Sequence, residues 1–314
     1  MLSLNTILFF IFGLILIVKG ADMFVESAIW IAEVIGIPSM IMGATFVSIA
    51  TTLPELVVSL IASFQGHPGM AIGNPVGSII CNIGLILGIC ILIKPYNINR
   101  KVLFYKEFIM IGAGLLVLFQ LKDNVIDYRE GLILLGLLPI YFVVNYIESY
   151  SKKETIQTKK AAGNIATHII KFLITAFAII YGAHLVVNNG ISLAKFLGIP
   201  ERVISLTAIA FGTSLPELIT SLTASLKGYH ELSIGNIVGA NILNLLLVIG
   251  VSAVINPLNV APHVRIFDMP YALFIMFLLA LTGFMGEKIE RWQGGFFLLI
   301  YGVYLTILGI VFFD

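Results

Sequence analysis

Ala50-Thr51-Thr52-Leu53-Pro54-Glu55 and Gly212-Thr213-Ser214-Leu215-Pro216-Glu217 are near-copies of one hexapeptide. Each lies inside an apolar segment long enough to cross a bilayer. An ionisable side chain at membrane depth is costly, so it marks a functional site by default. Two of them, in matching positions of two halves, point to a cation pathway at a repeat interface. Outward from the hexapeptides, the match continues at a fixed offset of 162 residues. Gly20-Ala21 pairs with Gly182-Ala183, Gly36-Ile37-Pro38 with Gly198-Ile199-Pro200, and Gly73-Asn74 with Gly235-Asn236. Shared apolar composition would not also keep Pro54, Glu55 and Asn82 in register with Pro216, Glu217 and Asn244. The chain reads as a duplication.

Of the 314 residues, 59% are hydrophobic and only 11% charged, and the mean hydropathy is +1.04. That excludes a soluble domain and indicates a polytopic membrane protein. The net charge of +1 comes with no basic block, which excludes nucleic acid as a partner. No Lys or Arg precedes the first apolar run, so a retained first helix is expected rather than a cleaved signal peptide. Cys81 and Cys90 share one apolar segment and read as buried free thiols.

Apolar segments fall at about 5–33, 38–64, 70–93, 103–121, 128–149, 166–196, 200–226, 232–256, 266–286 and 290–313, which predicts an all-α membrane protein of ten transmembrane helices. The one polar linker, 151–164, holds Lys152, Lys153, Lys159 and Lys160 and separates a first five-helix repeat (1–150) from a second (165–314). Five is odd, so the second repeat must enter the membrane from the opposite side, giving two inverted-topology repeats. Lys and Arg are biased twelve to five towards the loops after helices 1, 3, 5, 7 and 9, among them Lys94, Lys227 and the linker. The poorer side has Lys122, Arg129, Lys195, Arg202 and Arg265. A cell-membrane protein with both termini outside the cytoplasm is expected.

Pro54 and Pro216 should break the second helix of each half and free backbone groups near mid-span. In lipid such groups are tolerated only where they line a cavity or meet protein. The freed carbonyls around Thr51 and Thr213, beside Glu55 and Glu217, are hard oxygen ligands suited to Na⁺ or Ca²⁺. A plainer reading stays open: Thr52-x-x-Glu55 and Ser214-x-x-Glu217 are also capping boxes. On the third helix of each half, Asn74, Ser78 and Asn82 form one polar stripe, and Asn236, Ala240 and Asn244 fall in the same register. Asn82 and Asn244 lie at about the depth of the glutamates. These amides read either as ion ligands or as ties between helices, helped by Gly73-x-x-x-Gly77 and Gly235-x-x-x-Gly239.

The paired motifs resemble the α-repeats of the sodium/calcium exchanger group in the calcium/cation antiporter superfamily, in order and over nearly the whole chain. The resemblance implies ions enclosed by helices 2, 3, 7 and 8, with long tilted helices 1 and 6 sliding across them. It further implies that Glu55 and Glu217 are shared ligands for Ca²⁺ and Na⁺. The carbonyl and hydroxyl oxygens of Thr51 and Thr213, with Ser48, Thr52, Ser78, the Ala210 carbonyl and Ser214, would complete the sites. The chain also departs from that pattern. Position 244, usually aspartate there, is Asn244; position 240, commonly serine, is Ala240; and Ala50 replaces a glycine. Two carboxylates neutralise one Ca²⁺ or two Na⁺. Either a third Na⁺ lacks a dedicated charge, or Asn244 stands in for a protonated aspartate.

Asp22 and Glu26 break the symmetry, their counterparts being His184 and Asn188, and read as an ion-access vestibule or a solvated helix end. The expected function is a secondary antiporter exchanging Ca²⁺ for Na⁺ by alternating access. It is not an enzyme, has no cofactor beyond the transported ions, and has lipid but no obligate protein as partner. A proton-driven Ca²⁺/H⁺ exchanger is the alternative, although a Gly-Asn-Ala-Thr-Glu-like motif is missing. A passive cation channel is the rival from another class. Motifs of an intramembrane hydrolase are lacking too.

Overall fold

The computed structural model describes residues 4–97, 100–152, 164–197, 211–285 and 288–311. Lipid offers no partner to a backbone N–H or C=O, so apolar runs of this length close their hydrogen bonds internally as helices. In chain order these are α1 (Leu4–Ile35), α2 (Ser39–Thr51), α3 (Leu53–Phe64), α4 (Pro68–Ile93), α5 (Arg100–Gln120), α6 (Tyr128–Lys152), α7 (Ile165–Phe196), α8 (Leu215–Leu226), α9 (His230–Ile255), α10 (Met269–Met285) and α11 (Arg291–Val311). Among the described residues eight helices are long and apolar enough to span, or nine if the bent pair α2–α3 counts as one span. The further span expected at 200–226 begins outside the described residues, as do Arg202, Ala210 and linker residues 153–163. The protein is an all-helical, multi-span membrane protein.

The bend of 44° between α2 and α3 lies where the hexapeptide predicts a break. Pro54 has no N–H for the carbonyl of Ala50, and Thr52 turns the chain. Other irregularities are less visible in the sequence. Gly43–Val47 of α2, Asn82–Leu87 of α4 and Asn244–Val248 of α9 are wide π turns. Such turns inside α-helices are frequent at functional sites. Asn82 and Asn244 each open one.

Helices α4 and α9 form the centre: 72% and 83% of their apolar windows are buried, against 28–44% for the other spans. Close approach to α9 is made possible by missing side chains. A Cβ on Gly235 would collide with the Met40 carbonyl, and one on Gly239 with Ala44. The corresponding Gly73 and Gly77 have no described atom within 4 Å of such a Cβ. The 32-residue helices α1 and α7 pack along one another and touch backbone to backbone at Gly13 and Gly182. Phe24 stacks on Phe172 with ring centroids 4.4 Å apart, and Trp30 on His168 at 3.7 Å. Two short antiparallel ribbons join the halves: β1 (Tyr96–Asn97) pairs with β4 (Lys288–Ile289), and β2 (Val125–Ile126) with β3 (Leu258–Asn259).

Candidate ion-binding site

Glu55 and Glu217 occupy the first turns of α3 and α8, and both are fully buried. Their surroundings exclude a purely capping role, because neither Thr52 nor Ser214 makes a side-chain cap hydrogen bond. Each hydroxyl reaches instead to the carboxylate of the other half. Thr52 Oγ1 donates to Glu217 Oε1 at 3.5 Å, and Ser214 Oγ lies 3.5 Å from Glu55 Oε1. Ser78 Oγ is 3.4 Å from the same Glu55 oxygen and 3.1 Å from Ser214 Oγ. These contacts are long for hydrogen bonds to a carboxylate, and among the described residues the Oε2 atoms of both glutamates have no hydrogen-bond partner. Among the described residues neither glutamate forms a salt bridge. Two buried carboxylates without a basic neighbour among the described residues must be neutralised, by bound cations or by protons.

Around the carboxylates the halves interlock through matching bonds. Thr51 Oγ1 donates to Asn236 Oδ1 and Thr213 Oγ1 to Asn74 Oδ1, both at 3.1 Å. Asn236 Nδ2 donates to Ser221 Oγ and Asn74 Nδ2 to Ser59 Oγ, both at 2.9 Å. Asn74 and Asn236 are thus occupied as ties between helices. Ser48 is buried, its hydroxyl on the Thr45 carbonyl at 3.0 Å. Ala210 lies outside the described residues. Asn82 Nδ2 donates to Asn241 Oδ1 at 3.0 Å, which leaves Asn82 Oδ1 without a partner, while Asn244 has neither side-chain atom bonded. Asn241 is the participant that sequence reasoning missed. Its counterpart is Ile79, so a search guided by symmetry passes over it, although a third amide between Asn236 and Asn244 in an apolar helix was the available signal.

Among the described residues no cluster of three or more His, Cys, Asp and Glu side chains forms. The donors are carboxylate, hydroxyl and amide oxygens, the chemistry of Na⁺ and Ca²⁺ rather than of zinc or copper.

Two cavities of unequal size lie beside the broken hexapeptides. A cavity of about 540 Å³ runs beside α7 and reaches Pro54, Gly212 and Thr213. Its counterpart at Pro216, Ala50 and Thr51 is pinched by Phe24, Ala176 and Ile179 and has no room for a water molecule. On that closed side, Lys227 bonds Asp22 Oδ1 at 2.6 Å and Glu26 Oε1 at 2.9 Å, and Lys171 approaches Glu26 at 3.6 Å. Asp22 and Glu26 are therefore ion-paired while half-exposed. Burial disfavours the charge on Lys227, but bonding to Asp22 and Glu26 outweighs it and raises the lysine above its ordinary pKa. Lys94 Nζ donates to the Leu226 carbonyl beside Lys227, and Arg265 reaches the Lys122 carbonyl elsewhere. Those two groupings are the ones the charge bias predicts.

The family model for sodium/calcium exchanger protein matches residues 5–147 and 167–309, bounds separated by the same 162 residues as the hexapeptides. Sodium/calcium exchanger MaX1 of Methanosarcina acetivorans is 33% identical over 98% of this chain and 99% of its own length. Inner membrane protein YrbG of Escherichia coli is 34% identical over 86% of each. A solved structure of the sodium-calcium exchanger NCX_Mj, soaked with 2.5 mM Na⁺ and 0.1 mM Ca²⁺, superposes with a TM-score of 0.86 at 30% identity, covering 98% of this chain and 99% of that one. The chain belongs to the sodium/calcium exchanger family.

Proposed function

We propose that this protein exchanges Ca²⁺ for Na⁺ across the cell membrane by alternating access, with both ions using the centre between Glu55 and Glu217. The observation that carries the reading is the pair of buried carboxylate oxygens, without a hydrogen-bond partner among the described residues, where α3 and α8 begin, with a wide cavity on one flank and a pinched one on the other. The ligand set is Glu55, Glu217, the hydroxyls of Thr52, Ser78 and Ser214, the oxygens of Thr51 and Thr213, Ser48, the Ala210 carbonyl, and the amides Asn82 and Asn244. Exchange follows from electrostatics. The empty dianionic centre is unfavourable in a low-dielectric interior, and so is the helix rearrangement that would carry it across. One Ca²⁺ or two Na⁺ neutralise it. The loaded protein then moves and the empty one does not, which couples the two fluxes.

In this reading the halves are inverted five-span repeats, ten spans in all, and α1 with α7 is the moving pair. Both termini lie outside the cytoplasm, with Lys94 and Lys227 at the cytoplasmic face. The open cavity then faces outward. A closed crevice opposite an open cavity supports an exchanger over a passive channel. The test is labelled Ca²⁺ uptake into proteoliposomes, driven in turn by Na⁺, H⁺ and K⁺ gradients at clamped voltage. Uptake that requires an opposing Na⁺ gradient is expected. Uptake driven by H⁺ alone would replace the reading with a Ca²⁺/H⁺ exchanger.

A further inference from the structure

We infer that Met110 and Asn241 are positioning residues that hold the amide of Asn82 with its oxygen towards the ions. Met110 on α5, Asn241 on α9 and Asn82 on α4 are all fully buried. They form a chain of contacts: Asn241 Nδ2 to Met110 Sδ at 3.7 Å, and Asn82 Nδ2 to Asn241 Oδ1 at 3.0 Å. An isolated amide can present either end, and only its hydrogen-bond network decides which. A thioether has lone pairs and no proton, so it can face only the NH₂ end of Asn241. That turns Asn241 Oδ1 towards Asn82, which must answer with its own NH₂. The oxygen of Asn82 is left over, buried and without a protein partner.

Asn82 lies one turn beyond Ser78 on the stripe that meets Glu55, so the leftover oxygen belongs to the cation centre. With the opposite orientation, two N–H hydrogens would be aimed at a cation. The relay exists in one half only. The counterparts of Asn241 and Met110 are Ile79 and Ala272, and Asn244 has no partner on either side-chain atom. One amide of the symmetric pair is locked as an oxygen ligand and the other is free to turn.

The inference rests on the site reading above, and Glu55→Gln separates the two. The readout is the Ca²⁺ concentration giving half-maximal uptake in proteoliposomes. Asn241→Leu should raise it about tenfold with little change in maximal rate, the equivalent of about 1.4 kcal/mol and the size of one net hydrogen bond. Met110→Leu removes only the sulfur acceptor at similar volume and should raise it about threefold, on the order of half that free energy. If Asn241→Leu does not reach the membrane, Met110→Leu carries the test by itself. In an Asn82→Asp background neither side-chain end can donate to Asn241 Oδ1, so the relay is already broken and adding Asn241→Leu should raise half-saturation no further. Half-saturation unmoved by both single variants, while Glu55→Gln abolishes uptake, would overturn the relay and spare the site. An undiminished effect of Asn241→Leu in the Asn82→Asp background would likewise overturn it, as a packing defect. Normal uptake by Glu55→Gln would remove the site and the relay with it.

Discussion

Glu217→Gln removes one of two charges while keeping the shape of the side chain. Glu217 is fully buried, with Thr52 Oγ1 at 3.5 Å from one oxygen and nothing on the other. Removing one partner from a buried pair of opposite charges, here the carboxylate that would face a bound cation, costs about 3–5 kcal/mol. Assigned to Ca²⁺, that is a loss of affinity of about 150- to 5,000-fold. Attraction scales with the product of the charges, so a monovalent ion forfeits about half as much free energy. Na⁺ should therefore weaken by only about 10- to 70-fold, and selectivity should move towards Na⁺. Calorimetric titration of the purified variant with each ion reads both numbers, and Ca²⁺ uptake should fall below detection. A variant whose Ca²⁺ affinity drops no more than its Na⁺ affinity would show that Glu217 does not face the ions. Near-normal uptake would reduce the glutamate to a helix-terminal charge.

Lys227→Gln should loosen the closed side. Two exposed ion pairs at about 0.5 kcal/mol each amount to a roughly fivefold shift towards the conformation open on that side. The measurement is labelling of a single cysteine at Ala50 in a protein lacking Cys81 and Cys90, and an unchanged labelling rate would count against it. Because Asp22 and Glu26 hold Lys227 above its ordinary value of 10.5, the lysine is charged at neutral pH, and on the alkaline side the pairing is lost as pH rises past that raised value. Asn244→Asp adds a third carboxylate to a dry centre, so protons should compete with Ca²⁺ and uptake should fall below neutral pH, whereas the parent protein changes less. Identical pH profiles would place Asn244 away from the ions. Cysteines at Lys122 and Lys227 should label from opposite membrane faces, and labelling from the same face would refute the inverted ten-span arrangement. Gly235→Val should drive α9 off the Met40 carbonyl and cut the yield of folded protein, whereas Gly73→Val, with no described atom nearby, should be better tolerated.

Much of the architecture was legible because the bilayer imposes one rule on every segment. Apolar length sets span length, and a mid-span proline beside a carboxylate has few purposes in lipid. The bend at Thr52, the burial of both glutamates and the grouping of Lys94 with Lys227 followed from that. The contacts were harder to read. Thr52 and Ser214 look like caps in one dimension, and only the packing of the halves shows each hydroxyl turned to the opposite carboxylate. The π turns that begin at Asn82 and Asn244 were not anticipated, although the two asparagines occupy matching positions. Asp22 and Glu26 were ambiguous because their partner, Lys227, is remote in sequence.

Several of the bonds that cross between the halves are reciprocal. Thr51 reaches Asn236, and its counterpart Thr213 reaches Asn74, the counterpart of Asn236. The ribbons repeat the pattern: the offset that carries β1 onto β3 carries β2 to within one residue of β4. Such self-complementarity is what a two-fold homodimer requires of its interface, where each patch serves as its own partner. The covalent connection through the linker adds little that these contacts lack. Polypeptides 1–152 and 164–314, expressed separately in one cell, should find each other and reconstitute transport.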